Sequence, residues 1–199
     1  RIPFHGPEPS EWDERVGFML EALYAAYTTG WDSLGESDSP HQPLAGEAIE
    51  IGRTLVELMP NEPEAHGLLA LMLHCEARRD ARTTGEGEGR FVPLDRQDTA
   101  RWSRPMIDEA ERHLCTASGF KRIGRYQLEA AIQSIHAHRA VSGAIDWREI
   151  ALLYEGLVRL APTVGAQVGR AVALAESGEL AAGLTALDAL NADRTANYQ

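Results

Sequence analysis

The chain has 199 residues, of which 44% are hydrophobic and 25% charged, and it carries a net charge of −11. That composition suits a globular protein long enough to bury a core without disulfides or metals as staples. The acidic balance argues against direct nucleic-acid binding, which needs clustered Lys and Arg, and Lys121 is the single lysine.

Residues 1–9 are proline-rich and read as a linker. Ser10 is the expected N-cap of a first helix, with Val16, Met19, Leu20, Leu23, Tyr24 and Tyr27 at helical spacing and Gly30 as its end. Residues 32–43 read as a loop. A second helix is expected over 44–59, stopped by Pro60. Pro63 suits the first turn of a third over 63–82, apolar all round and therefore central. Residues 83–90, TTGEGEGR, read as a flexible loop, and 91–94 as briefly extended. A fourth helix is expected from Asp98, carrying Trp102, Met106, Ile107, Ala110 and Leu114. A fifth covers 126–141. Asp146 caps a sixth, with Glu149 three residues on in a capping-box pattern. A seventh covers 165–176, and an eighth follows Gly178. No segment alternates like a strand, so the fold class is all-α with about eight helices.

Two helices close on nearly the same phrase, LVELMP at 55–60 and LVRLAP at 157–162. Proline fixes a sharp turn after each. Small residues follow in both places, Ala65, Gly67 and Ala70 in one and Ala166, Gly169 and Ala171 in the other, which lets neighbouring helices approach closely. Pro60 and Pro162 stand three times the ~34-residue tetratricopeptide period apart. Positions near Leu94 and Leu128, one and two periods on from Pro60, carry no such ending. The expected architecture is therefore antiparallel helix pairs stacked as a degenerate TPR-like α-solenoid array; a plain helical bundle is the alternative.

The chemistry-bearing residues do not fall into catalytic or metal-binding spacings. His74, Cys75 and Glu76 are consecutive and point in different directions on a helix, and His113/Cys115 and His136/His138 are two apart. No P-loop, nucleophile elbow or dinucleotide turn is present. Neither catalysis nor a cofactor is expected. Cys75 and Cys115 read as buried small hydrophobes in a reducing compartment. The longest apolar run, 68–73, is far short of the ~20 residues of a membrane span. Trp12, Trp31, Trp102 and Trp147 read as caps on the core with bonded indole N–H groups; a recognition groove is the alternative.

Four blocks carry a family resemblance: LALMLHCEARRDAR (69–82), PLDRQDTARWSRPMIDE (93–109), GRYQLEAAIQSIHA (124–137) and IDWREIALLYEGLVRLAP (145–162). In that order they resemble the C-terminal helical, TPR-like extension of a subgroup of extracytoplasmic-function RNA polymerase sigma factors. Residues 1–9 look like the linker that follows the second sigma region there. The chain departs from the family at Tyr27-Thr28-Thr29-Gly30, where a Phe-Asn-Glu-Gly ending is usual, and at Gly169, where Asn is usual.

The resemblance implies a cytoplasmic bacterial transcription-initiation factor whose sigma regions lie outside this chain, in keeping with the missing initiator Met. The implied organisation is a linker (1–9), a family-specific helical domain (10–142) and TPR-like repeats (143–199), together one helical unit. The implied partners are its own N-terminal sigma regions, the polymerase core or another regulatory protein. Family members continue into another helix pair, so an exposed apolar face and self-association are expected. The polar residues within the blocks and just after them are the candidate interaction network: Arg78, Arg79, Asp95, Gln97, Asp98, Trp102, Tyr126, Gln127, Asp146, Trp147 and Arg170. The structural alternative makes Asp95, Asp98 and Asp146 helix caps and has Arg78 and Arg79 close their helix. The rival functions are a stand-alone helical-repeat adaptor and an enzyme with an all-α pocket.

Overall fold

The computed structural model describes residues 11–32, 42–84 and 90–196. The expected Ser10 cap, the linker at 1–9 and the glycine-rich loop at 85–89 lie outside the described residues. The fold is all-α. The helices are α1 (Trp12–Asp32), α2 (Gln42–Leu58), α3 (Pro63–Glu76), α4 (Arg104–Gly119), α5 (Arg125–Ser142), α6 (Trp147–Leu160), α7 (Val164–Glu176) and α8 (Leu180–Ala196). Among the described residues the nearest thing to a strand is one antiparallel bridge between Thr83 and Phe91, which gives the expected extended stretch a partner. No helix is long and apolar enough to cross a membrane among the described residues.

α3 is the central rod. Glu62 caps it by accepting from the amide of Glu64 at 3.1 Å, and Pro63 occupies its first turn. Every residue from Ala65 to His74 is buried, including Leu68, Leu69, Met72 and Leu73. Burying each such side chain stabilises the fold by about 1.5–3 kcal/mol. α4 and α5 enclose α3, α1 and α2 pack on each other beside it, and α5 to α8 then pack each on the next. α5 serves the apolar cores on both sides: Tyr126 and Ala130 join the large α1–α5 cluster, and Ile132 joins Ile150, Leu157, Ala166 and Ala173.

Two expected helix bounds are corrected. α3 ends at Glu76, not Arg82, and residues Arg79–Ala81 form a 3-10 turn. The carbonyl of Ala77 is taken by the amide of Ser103 at 2.7 Å, so the ladder of helical hydrogen bonds cannot continue through it. The fourth helix starts at Arg104, not Asp98. Asp98 caps only a 3-10 turn, Thr99–Arg101, by accepting from Ala100 N at 3.0 Å, and Trp102 then turns extended. Gly30 does not end α1; it is buried within it.

The two proline-closed helices are not equivalent. Gly169 of α7 lies against the preceding helix α6, where a Cβ would stand 2.4 Å from Tyr154 Cζ. Gly67 of α3 lies against α5 instead, where a Cβ would stand 2.7 Å from the amide nitrogen of Gln127. Small residues do permit close approach in both places, but with partners at different removes along the chain. The last helices leave Val164, Val168, Val172, Leu180 and Leu184 substantially exposed.

Candidate functional site

The sequence blocks converge. The amide of Ser103 bonds to Ala77, Arg78 donates to Gln133 Oε1 at 2.5 Å, and His136 meets Trp147 edge to face at 5.5 Å. One packing junction thus joins the C-terminus of α3, the segment before α4, α5 and the start of α6.

Arg139 holds this junction together. From α5 it donates to the carbonyls of Leu94 at 2.9 Å, Asp95 at 3.1 Å and Gln97 at 3.1 Å, and its guanidinium lies 5.2 Å from the centre of the Trp102 ring. Asp95 therefore contributes its main chain and is not a helix cap; its side chain is exposed and, among the described residues, pairs with Arg96 at 3.9 Å. Gln97 is buried, and its Nε2 donates to Val92 O at 3.1 Å. Trp102 is buried among Ala77, Ala81, Ile107 and Ala137, but its Nε1 has no acceptor among the described residues, contrary to the bonded indole expected of it.

The other candidates fall elsewhere. Arg79 pairs with Glu76 at 2.5 Å and lies, with Arg82, over the ring of Trp31, at 5.1 and 4.0 Å. Trp31 also stacks on Tyr27. Trp12 is half exposed and joins no core cluster among the described residues. Tyr126 and Gln127 are buried in the first turn of α5 under the carboxylate of Glu64. Arg170 is half-buried in α7 and makes no hydrogen bond or ion pair among the described residues. Cys115 is exposed, which corrects its reading as a buried hydrophobe, whereas burial pushes the Cys75 thiol up.

Asp146 and Trp147 open onto a cleft of about 830 Å³ between α4, α5, the α5–α6 turn and the C-terminus of α7. Asp146 caps α6 by accepting from Glu149 N at 3.0 Å. The floor is apolar, with Ile107, Ile135, Ile145 and Trp147. The walls carry five carboxylates, Asp108, Glu111, Asp146, Glu149 and Glu176, against two arginines, Arg104 and Arg148. Arg104 is paired with Asp108 at 2.9 Å, and Glu111 accepts from the Ser134 hydroxyl at 2.6 Å. Three of the resembling blocks line the cleft.

Sequence reasoning missed Arg139, Glu64 and a histidine pair. His66 and His113 approach Nδ1 to Nδ1 at 3.0 Å, and His66 Nε2 lies 3.0 Å from the carbonyl of Pro60. The carbonyl requires a proton on His66 Nε2, so in the neutral pair His113 Nδ1 donates to His66 Nδ1. Burial, and then the neighbouring His66, lower the His113 pKa. The hydrogen bonds of Arg139, of Glu64 and between the two histidines span 42 to 63 residues of chain, and no local spacing announces them. Among the described residues, no three or more His, Cys, Asp or Glu are grouped to hold a metal ion.

Comparison with known proteins places the scaffold. The chain is 36% identical over 197 residues, 99% of its length, to an uncharacterized protein of Rhizobium meliloti (strain 1021). The match covers 46% of that protein, so the chain spans about half the length of this relative. No solved structure matches. Residues 15–118, from α1 through nearly all of α4 and just over half of the chain, match the family of unknown function DUF6596. The chain therefore belongs to the DUF6596 family.

Proposed function

We propose that the chain is the C-terminal regulatory, protein-interaction domain of an extracytoplasmic-function RNA polymerase sigma factor, with the DNA- and polymerase-binding sigma regions outside it. The observation that carries this reading is the acidic cleft, whose apolar floor comes from three of the four blocks that resemble that family and whose carboxylates Asp108, Asp146 and Glu149 lie in two of them, with Glu111 and Glu176 outside the blocks. A surface of this charge attracts basic protein segments and repels phosphate backbones, so it competes with DNA for the same partner. The proposal extends to a TPR-like stacking of α6, α7 and α8, to a cytoplasmic setting and to self-association through the exposed valines of α7. It assigns no bond chemistry to the chain.

The test is promoter binding by the sigma regions with the chain added in trans, at low and at physiological salt. A change in promoter affinity that shrinks with salt supports the reading. Unchanged promoter binding at both overturns it.

A further inference from the structure

The cleft also carries information about what docks in it. Its five carboxylates outweigh its two arginines, and one arginine is neutralised in place by Asp108. Glu149 and Glu176 face the cleft from two different helices, and neither makes an ion pair among the described residues. Glu176 is the last residue of α7, and no basic residue lies in that last turn. The negative end of a helix dipole disfavours an acid there, by about 0.3–1 kcal/mol at an exposed site. Helix stability therefore does not account for Glu176, whereas a bound cation relieves it. Beneath these acids lie the half-buried Trp147 and Ile135, with Val141 exposed at the edge. An anionic lipid surface or a nucleic acid is repelled by such walls, and a fully polar cation leaves the floor unused.

We propose that this cleft is a docking groove for one face of a basic amphipathic helix of a protein partner. Its apolar side chains rest on Ile135, Val141 and Trp147, and its arginine or lysine heads meet Glu149 and Glu176. The inference rests on the protein-docking reading above and adds the partner's chemistry and its seat. At 830 Å³ the cleft admits a few side chains, which suits anchors at i, i+3 and i+4 on one helix face.

The probe is a helical peptide with leucines at i, i+3, i+4 and i+7 flanked by arginines, titrated into the whole chain and read by tryptophan fluorescence and calorimetry. Its counterpart has glutamate in place of every arginine. The arginine peptide is expected to bind and the glutamate peptide not. Glu149→Arg with Glu176→Arg is expected to weaken binding at least about tenfold. Both positions are exposed, and a thermal melt checks that the variant folds. A control reversal with the same charge change far from the cleft, Glu47→Arg with Glu57→Arg on α2, is expected to leave affinity within about twofold. Equal loss in both double variants, equal binding of both peptides, or binding of neither overturns the proposal. Failure here is distinguishable from failure of the regulatory reading. A chain that alters promoter binding while ignoring the peptide keeps that reading and loses this one; a chain that takes the peptide in its cleft and leaves promoter binding alone does the reverse.

Discussion

The carboxylate of Glu64 grips Gln127 twice, Oε1 accepting from its main-chain nitrogen at 3.2 Å and from its Nε2 at 3.1 Å, while Oε2 accepts from Tyr126 N at 2.9 Å. An acid in the first turn of α3 therefore caps the distant helix α5. Gly124 makes the room for it, since a Cβ there would stand 2.1 Å from Glu64 Cδ. Glu64→Ala is expected to cost about 1–2 kcal/mol, the value of a lost helix cap, and Gly124→Ala to destabilise as well. Urea titrations check both through a lower midpoint at unchanged slope; an unmoved midpoint for Glu64→Ala contradicts the cap.

Gly169 admits the ring of Tyr154 between α6 and α7, with a Cβ placed 2.4 Å from Cζ and 2.7 Å from the hydroxyl oxygen. Gly169→Ala is expected to destabilise by about 1–3 kcal/mol through overpacking. Tyr154→Leu frees that space, so the double variant is expected to lose less than the two single losses added together. A double-mutant cycle measures this, and strict additivity counts against the contact.

Acid is expected to weaken the fold before the carboxylates titrate. Burial first, and then the charge of Arg78, lower both His74 and His136 to about 4 from an ordinary value of 6.5. His74 Nε2 lies 3.4 Å from Glu111 Oε1, but it makes no hydrogen bond there and Glu111 is half exposed, so burial prevails and His74 is neutral. The unfolded chain binds these protons more readily than the folded one. Stability is thus full above pH 6.5, falls as pH drops toward about 4, and loses on the order of a few kcal/mol in all over that window. Glu109 adds a lower limb: hydrogen bonding from Arg53 depresses its pKa below 4.5, and its contribution is lost as pH falls through that lowered value. Neither ring nitrogen of His74 makes a hydrogen bond among the described residues, so His74→Leu is expected to keep neutral-pH stability and flatten the upper limb. Urea midpoints across that pH range decide it, and an unchanged upper limb in the variant contradicts the assignment.

Arg139 is expected to hold the segment before α4 in place. Its three bonds to carbonyls need a planar fork that a lysine ammonium does not reproduce. Arg139→Lys is expected to speed hydrogen exchange of the amides at 94–102 while those of α3 hold. Uniform change across the chain instead marks a global loss of stability.

The helices were legible because their apolar stripes and stop residues are local: Val16, Leu20, Leu23 and Tyr27 recur at helical spacing, and Asp146 stands where its carboxylate caps α6. The C-terminal end of α3 and the start of α4 were not legible, because the bond from Ser103 to Ala77 that limits α3 joins residues far apart in sequence. The site divides the same way. Asp146 and Trp147 were readable as a capped helix start bearing an aromatic, and they do line the cleft. Arg139 lies just beyond the third block, and nothing in its neighbours marks the carbonyls it clamps. Glu64 resembled any acid in a first turn.

Direct association between the chain and the sigma regions proposed to accompany it, followed by fluorescence anisotropy across a salt series, tests the central claim most closely. The account expects a complex at low salt that weakens steadily as salt rises and is lost on reversing Glu149 and Glu176 to arginine. No complex at low salt, or one indifferent to both salt and those reversals, contradicts an acidic docking cleft as the working part of this chain.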